Sequence, residues 1–255
     1  MTPYHETEAG VLYLGDCLDV MAWLPAAYYD AVVTDPPFAF AGGASNGLLQ
    51  VSDDQFFRHW WNEVARSISR VLTPCAEGFI WCDWRSSMAV SDGFVERNNA
   101  RNFPQVKQML YHNRMMIGMG KPFRNCVDMI AYIRGPRATG ERIPNTTPTL
   151  IESYWYYGKH KHHPAEKSVA VCRQLVEWSS DEGTTVIDPF AGSGTSLVAC
   201  VERGRRYVGI EKDERYCEEA AKRIDEALLS NAALVQPRLP LDAPREKPRT
   251  EALAI

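Results

Sequence analysis

No Cys-x-x-Cys pair occurs among the seven cysteines, and an odd count leaves a thiol outside any set of disulfides. A disulfide framework and a zinc site are therefore not expected, and reduced thiols in a core are. Long apolar runs are missing too, so no segment approaches a membrane span. Met1 to Gly10 lacks a basic region followed by an apolar run, so it does not read as a secretion signal, and a cytoplasmic location is expected. No internal repeat is visible, so a repeat architecture is not expected. Nor is there an excess of positive charge: 28 Lys and Arg stand against 32 Asp and Glu, a net −4. The balance is uneven, however. Residues 97–167 hold 12 Lys and Arg against 4 Asp and Glu, a local +8, leaving 16 against 28, or −12, elsewhere. A phosphate-facing patch on an acidic protein produces this segregation, and so does a solvated basic loop region.

What is present is enough for a sizeable core. A chain of 255 residues with 45% hydrophobic content suits one large α/β domain with an insertion. Val11 to Leu14 is a short apolar run ending at Gly15-Asp16, followed by a helical stretch to Leu24 and a second run, Ala31 to Thr34, ending at Asp35. Ser52 or Asp53 caps the next helix, whose Phe56, Phe57, Trp60, Trp61, Val64 and Ile68 recur at helical spacing as core positions. Gly78 to Cys82, Gln108 to His112 and Val127 to Ile133 read as strands, and Ala165 to Ser179 as a helix. Thr185 to Ile187 is a strand leading to a glycine-rich turn and a helix to Glu202; Tyr207 to Ile210 is a strand before a helix from about Asp213 to Leu229. Strands alternating with helices call for a Rossmann-like, doubly wound, mostly parallel sheet. Residues 231–255 turn polar and proline-rich and are expected to form a disordered tail.

Asp16, Asp35, Asp188 and Glu211 each fall at the end of a short apolar strand. Ligands of open α/β sheets bind outside the carboxyl ends of strands, so these acids would ring one crevice, although acids also cap following helices. Gly192-Ser193-Gly194 lets the backbone approach a ligand closely, but Leu197 stands where a dinucleotide motif needs its third glycine. Asp188 just ahead of the glycines would repel a pyrophosphate and favour a ligand carrying an ammonium group. Glu211, about 20 residues further on, is placed to accept ribose hydroxyls.

Two motifs together give the chain a family likeness. Thr34-Asp35-Pro36-Pro37-Phe38 near the start and Asp188-Pro189-Phe190-Ala191-Gly192-Ser193-Gly194-Thr195 near the end resemble those of circularly permuted, beta-type DNA amino-methyltransferases dependent on S-adenosylmethionine. The resemblance runs from about Leu12 to Ile224. It implies a seven-stranded sheet of the class I methyltransferase type with a small inserted target-recognition region. The expected division is a catalytic half at 1–84, the insertion with some core strands at 85–162, and a cofactor half at 163–230. It further implies that the 188–195 loop, with Gly192, Ser193, Gly194 and Thr195, lies under the methionine portion of the cofactor and Phe190 against its adenosine. Glu211 is implied at the ribose and Asp16 at the adenine amino group. His163-Pro164-Ala165-Glu166-Lys167-Ser168 resembles the family's His-Pro-x-x-Lys-Pro stretch, which puts His163 and Lys167 at the methionine carboxylate; Ser168 replaces the usual proline. A bacterial or phage-infected cell is the implied setting, with a restriction enzyme as a partner in some systems.

The chemistry of Asp-Pro-Pro-Phe supports the likeness. An exocyclic amine on a nucleobase is a poor nucleophile because its lone pair is delocalised into the ring. Asp35 and the carbonyl of Pro36 would accept its two N–H groups and orient the lone pair; Pro37 keeps the turn rigid and Phe38 offers a face for an extruded base. Extrusion is required because the amine is paired inside duplex DNA. Asp-Pro-Pro accompanies adenine N6 more often than cytosine N4 in the family, so adenine is favoured. Pro74-Cys75 has the dipeptide of cytosine C5 enzymes but stands after a helix in an expected turn, and Cys75 reads as structural. His160, His162 and His163 lack acidic or cysteine partners, and no metal is expected. Double-stranded DNA is the expected partner, with Arg114, Lys121, Arg124, Arg134, Arg137, Arg142, Lys159 and Lys161 as candidates for its phosphates or guanines and Asn145 for adenine. The insertion is short, so a short target site or help from a second copy of the chain, as a homodimer, is expected.

Overall fold

The computed structural model describes residues 1–37, 54–94, 104–113, 126–152 and 167–231. The strands among them are β1 (His5–Glu6), β2 (Gly10–Leu14), β3 (Tyr29–Thr34), β4 (Leu72–Cys82), β5 (Gln105–Asn113), β6 (Val127–Arg134), β7 (Leu150–Glu152), β8 (Thr185–Asp188) and β9 (Arg206–Glu211). The helices are α1 (Cys17–Trp23), α2 (Asp54–Val71), α3 (Ser87–Gly93), α4 (Val169–Ser179), α5 (Thr195–Glu202) and α6 (Glu214–Ser230).

All nine strands join one sheet in the order β1-β2-β9-β8-β3-β4-β6-β5-β7. β2, β9, β8, β3 and β4 are mutually parallel, while β6 runs against both β4 and β5. β1 and β7 are edge strands of 2 and 3 residues; nine less these two leaves the seven-stranded, mostly parallel sheet of the expected class. Alternate residues of each strand point to opposite faces. Val32, Ile80, Ile187, Val208 and Ile210 pack on one face against α1, α2 and α3. Ala31, Val33, Phe79, Trp81, Val186 and Tyr207 pack on the other against α4, α5 and α6. Covered on both sides, β8 is buried at every position, so its two central residues, Val186 and Ile187, are both apolar rather than alternating with polar ones.

Several elements differ from the sequence reading. β4 begins at Leu72, directly after α2, so Cys75 lies in a strand and not in a turn. The opening of β4 has no hydrophobic alternation to announce it; it is held by Gly135 and Arg137, whose amides donate to the carbonyls of Ala76 and Pro74. β1, α3 and β7 are too short to carry a period. α4 starts at Val169 with Ser168 as its N-cap residue. In α2, Phe57, Trp61, Val64 and Ile68 are buried as the spacing implies, whereas Phe56 is exposed. Ser52, Asp53 and the tail from 232 onward lie outside the described residues.

Candidate active site

Because five neighbouring strands run in one sense, their carboxyl ends form a single rim. Along it stand Gly15-Asp16 after β2, Glu211 of β9, Asp188 of β8, Thr34-Asp35 at the end of β3 and Cys82-Asp83 at the end of β4. Antiparallel β6 starts there and adds Asp128. The two sequence motifs meet at a buried hydrogen bond: the hydroxyl of Thr34 donates to Asp188 Oδ1 at 2.6 Å across 154 residues of chain.

Asp188 is buried, and its carboxylate is committed to the protein itself. Besides Thr34, the amide of Phe190 donates to Oδ1 at 3.0 Å and the hydroxyl of Ser196 donates to Oδ2. These bonds clamp the loop after β8 to β3 and α5. Burial pushes its carboxyl up to about 6, against the hydrogen bonds from Ser196, Thr34 and Phe190, and the nearby charge of Asp35 adds to the rise. The folded protein thus holds this proton more tightly than the unfolded chain. Its penalty is complete above about pH 6 and is relieved as pH falls below it, a gain of about 1 kcal/mol between about pH 7 and about pH 5. Denaturant unfolding at the two pH values should show that slope in the wild type and lack it in Asp188→Asn; parallel curves for the two proteins would refute it.

The glycine loop is braced from two sides. Glu211 accepts the amide of Gly192 on Oε2 at 2.9 Å and that of Asp213 on Oε1 at 2.8 Å. Burial raises its carboxyl above the ordinary value, and backbone N–H groups of Asp213, Gly192 and Lys212 oppose the rise. A carboxylate oxygen accepts more than one donor, so this bracing leaves Glu211 able to meet hydroxyls as well. From α6, Arg223 Nη1 donates to Ser193 O at 2.7 Å, Ser193 Oγ at 2.9 Å and Thr195 Oγ1 at 3.2 Å. Ser193 and Thr195 are buried on that side, and these bonds to their side chains hold the loop's shape. The two glycines also differ. A Cβ on Gly192 would meet nothing within 4 Å, whereas one on Gly194 would lie 2.8 Å from Ala220 Cβ. The first faces open space above the loop and the second lets α5 approach α6.

Other expected residues fall near this loop. Asp16 is exposed at the N-terminus of α1, where its side chain accepts the amide of Leu18 at 2.9 Å; the amide of Gly15 bonds to the carbonyl of Glu211. Phe190 meets Trp60 of α2 edge-on with ring centroids 5.8 Å apart, so its partner was among the aromatics read as core. On the β3 side, Pro36 is buried while Asp35 and Pro37 are half-buried. Lys167 Nζ lies 3.2 Å from Asp35 Oδ2 and 3.7 Å from Asp128 Oδ2. The lysine assigned by sequence to the cofactor thus reaches the Asp-Pro-Pro turn. Phe38 and His163 lie outside the described residues.

Three of the arginines expected at DNA stand elsewhere. β6 carries the chain away from the rim, so Arg134 pairs with Glu77, about 16 Å down β4 from Cys82 at about 3.3 Å per residue. Arg137 follows in the turn beyond it, with its amide bonded to Pro74. Arg142 is tied to Asp181, through Nε at 3.0 Å and Nη2 at 2.5 Å, and lies 3.5 Å from Glu77 Oε1. All three thus stand at the opposite end of the strands from Asp35. Asn145 follows Arg142 in the same stretch and lies in a turn. Cys75 is likewise at that far end of β4. Arg114, Lys121, Arg124, Lys159 and Lys161 lie outside the described residues, as do His160 and His162. Their flanking residues are described: Asn113 pairs with both Val127 and Glu152 at the rim. Among the described residues no cluster of His, Cys, Asp and Glu is suited to a metal, and no helix is long and apolar enough to cross a membrane.

Thr34, Asp128, Ser196 and Arg223 were not identified from sequence. Thr34 opens the first motif and Ser196 follows the second, and their roles could have been found as those of hydroxyls next to a buried acid. Asp128 and Arg223 carry no local signal, because their roles depend on β6 and α6 returning to the rim.

The geometry agrees with what this chain is similar to. The type II methyltransferase M.HpaI of Haemophilus parainfluenzae is 40% identical over 218 residues, covering 77% of this chain and 68% of that protein. The DNA adenine methyltransferase YhdJ of Escherichia coli is 23% identical, covering 86% of this chain and 84% of its own length. Among solved structures, the cytosine-N4-specific PvuII DNA methyltransferase has a TM-score of 0.71 at 15% identity, over 92% of this chain and 96% of that one. M1.HpyAVI, solved as a complex with SAM, has a TM-score of 0.59 at 20% identity, over 84% and 98%. The model of the N6/N4 methyltransferase family, described as DNA methylase, matches residues 29–222, and the chain belongs to that family.

Proposed function

We propose that the chain is a site-specific DNA methyltransferase that transfers a methyl group from S-adenosylmethionine to the N6 amine of an adenine flipped out of duplex DNA, by direct in-line attack. The observation that carries this reading is the Thr34 to Asp188 hydrogen bond, which locks the Asp-Pro-Pro turn beside the glycine loop. The loop suits such a cofactor: the space above Gly192 would be filled by a Cβ, and Glu211 stands beside it with an acceptor for hydroxyls. Glu211, Phe190 and Asp16 are the residues to hold its nucleoside. When bound, S-adenosylmethionine supplies a methyl group on a positively charged sulfur.

The chain's own part is to prepare the amine. Asp35 accepts one N–H of the base and the carbonyl of Pro36 the other, drawing nitrogen toward tetrahedral geometry and directing its lone pair. Pro36 and Pro37 contribute no amide donors that compete for those acceptors. Phe38 is the proposed stacking surface for the extruded base. The surplus proton on nitrogen passes to Asp35 or water once the amine is methylated. Arg114, Lys121, Arg124, Lys159 and Lys161 are the proposed DNA contacts, because Arg134, Arg137 and Arg142 stand at the other end of the strands from Asp35.

Mass spectrometry of nucleosides from DNA treated with the protein tests the base. N6-methyladenine is the expected product, and N4-methylcytosine without it would replace the adenine reading by the cytosine one. Tritium transfer onto varied duplexes separates either from an inert DNA-binding module, which would bind cofactor and transfer nothing. A short target site and a second copy of the chain both accommodate the short insertion; sedimentation with and without duplex distinguishes them.

A further inference from the structure

We infer that Asp128 is a positioning residue for Asp35, acting through Lys167, so that β6, which belongs to neither sequence motif, directs the carboxylate of the Asp-Pro-Pro turn. The inference rests on the function proposed above. Three elements converge here: Asp35 follows β3, Lys167 precedes α4, and Asp128 opens β6. The side chains of Lys167 and Asp128 are 12% and 9% exposed and that of Asp35 is 23% exposed, so the contacts are largely withdrawn from water. Behind Asp128 stands its cross-strand partner His112 of β5, 3% exposed, with Nδ1 3.9 Å from Asp128 Oδ2.

The arrangement is chemically directional. A lysine is a point charge on a flexible stem, and one carboxylate at its tip does not fix where that tip lies. A second carboxylate on a buried strand does, because the ammonium then has two attractions in a medium of reduced dielectric. Held this way at Oδ2 of Asp35, Lys167 sets the plane of that carboxylate and with it the direction of Oδ1. A base amine needs that direction to be right, since small misplacements at a reacting centre cost far more than their contact energy. Asp128 itself touches neither the base nor the cofactor in this account.

The test uses the full chain and a methylatable duplex, comparing Asp128→Asn, Lys167→Gln and the double variant. For Asp128→Asn, kcat should fall about 10-fold, with KM for DNA and for cofactor within about twofold of wild type. In the Lys167→Gln background the same substitution should cost less than about twofold, because its effect passes through the lysine. Asp128→Glu, which keeps the charge, should recover part of the loss. Undiminished kcat in Asp128→Asn, or losses that multiply in the double variant, would overturn the inference. Should Asp128→Asn not fold, Asp128→Ser takes its place with the same expected fall in kcat, and undiminished kcat overturns the inference; a raised cofactor KM at constant kcat in Lys167→Gln returns the lysine to the cofactor and overturns it too. A wild type that transfers no methyl group to any duplex would instead sink the functional reading, an outcome distinct from an active enzyme indifferent to Asp128.

Discussion

Asp35→Asn is expected to lower methyl transfer to duplex DNA by about 10³-fold while changing cofactor and DNA affinity by no more than about threefold. The substitution preserves shape and leaves Pro36 in place, so the turn should survive. It removes the charge proposed to accept the base N–H and replaces one acceptor oxygen with a donor that would face the base's own donors. It also breaks the ion pair with Lys167. Asp188, which feels the charge of Asp35 through the core, should titrate lower in the variant. Single-turnover tritium transfer with separate binding isotherms is the measurement. An Asn variant retaining more than about a tenth of wild-type turnover would exclude Asp35 as the group that accepts the amine.

Gly192→Ala and Gly194→Ala should fail in different ways. At Gly192 a new Cβ meets no protein atom within 4 Å, so the cost to folding is the left-handed backbone alone, φ +51°, about 1–2 kcal/mol. The methyl group enters the space proposed for the cofactor, and affinity for S-adenosylmethionine should fall about 100-fold. At Gly194 the backbone is again left-handed, φ +79°, and the Cβ lies 2.8 Å from Ala220 Cβ and 3.1 Å from its Cα. That neighbour lies on the buried face of α6 and has no flexible end to move, so about 3 kcal/mol of stability should be lost. Calorimetric titration and thermal unfolding of both variants separate the cases. Tight cofactor binding by Gly192→Ala would mean that the open space above the loop is not the cofactor's.

Much of the fold was legible because buried parallel strands announce themselves. β2, β3, β8 and β9 are short apolar runs, each ended by a glycine, an acid or both, and the structure has strands at all four. The opening of β4 was not legible, since it pairs through backbone groups with a turn after β6 and needs no particular side chains there. Within the site, the bonds of Ser193 and Thr195 to α6 were not legible because a hydroxyl carries no sign of which way it points. Arg223, the residue that claims them, lies 28 residues beyond Thr195 on another helix.

By itself the sequence determined the fold class, the acids at the strand ends and the two motifs, since apolar runs and rigid Pro and Gly turns are local properties. It also implied that the motifs meet despite their reversed order, because a doubly wound sheet specifies where strand ends lie and not which strand comes first. Only the tertiary structure decided which protein groups each acid meets. Asp188 spends its oxygens on Thr34, Ser196 and Phe190, while Asp35 faces Lys167. It also placed Arg134, Arg137 and Arg142, because β6 runs against its neighbours and carries them to the other end of the strands. Charge counted along a chain does not record the direction of a strand, and that direction is set by pairing with residues distant in sequence.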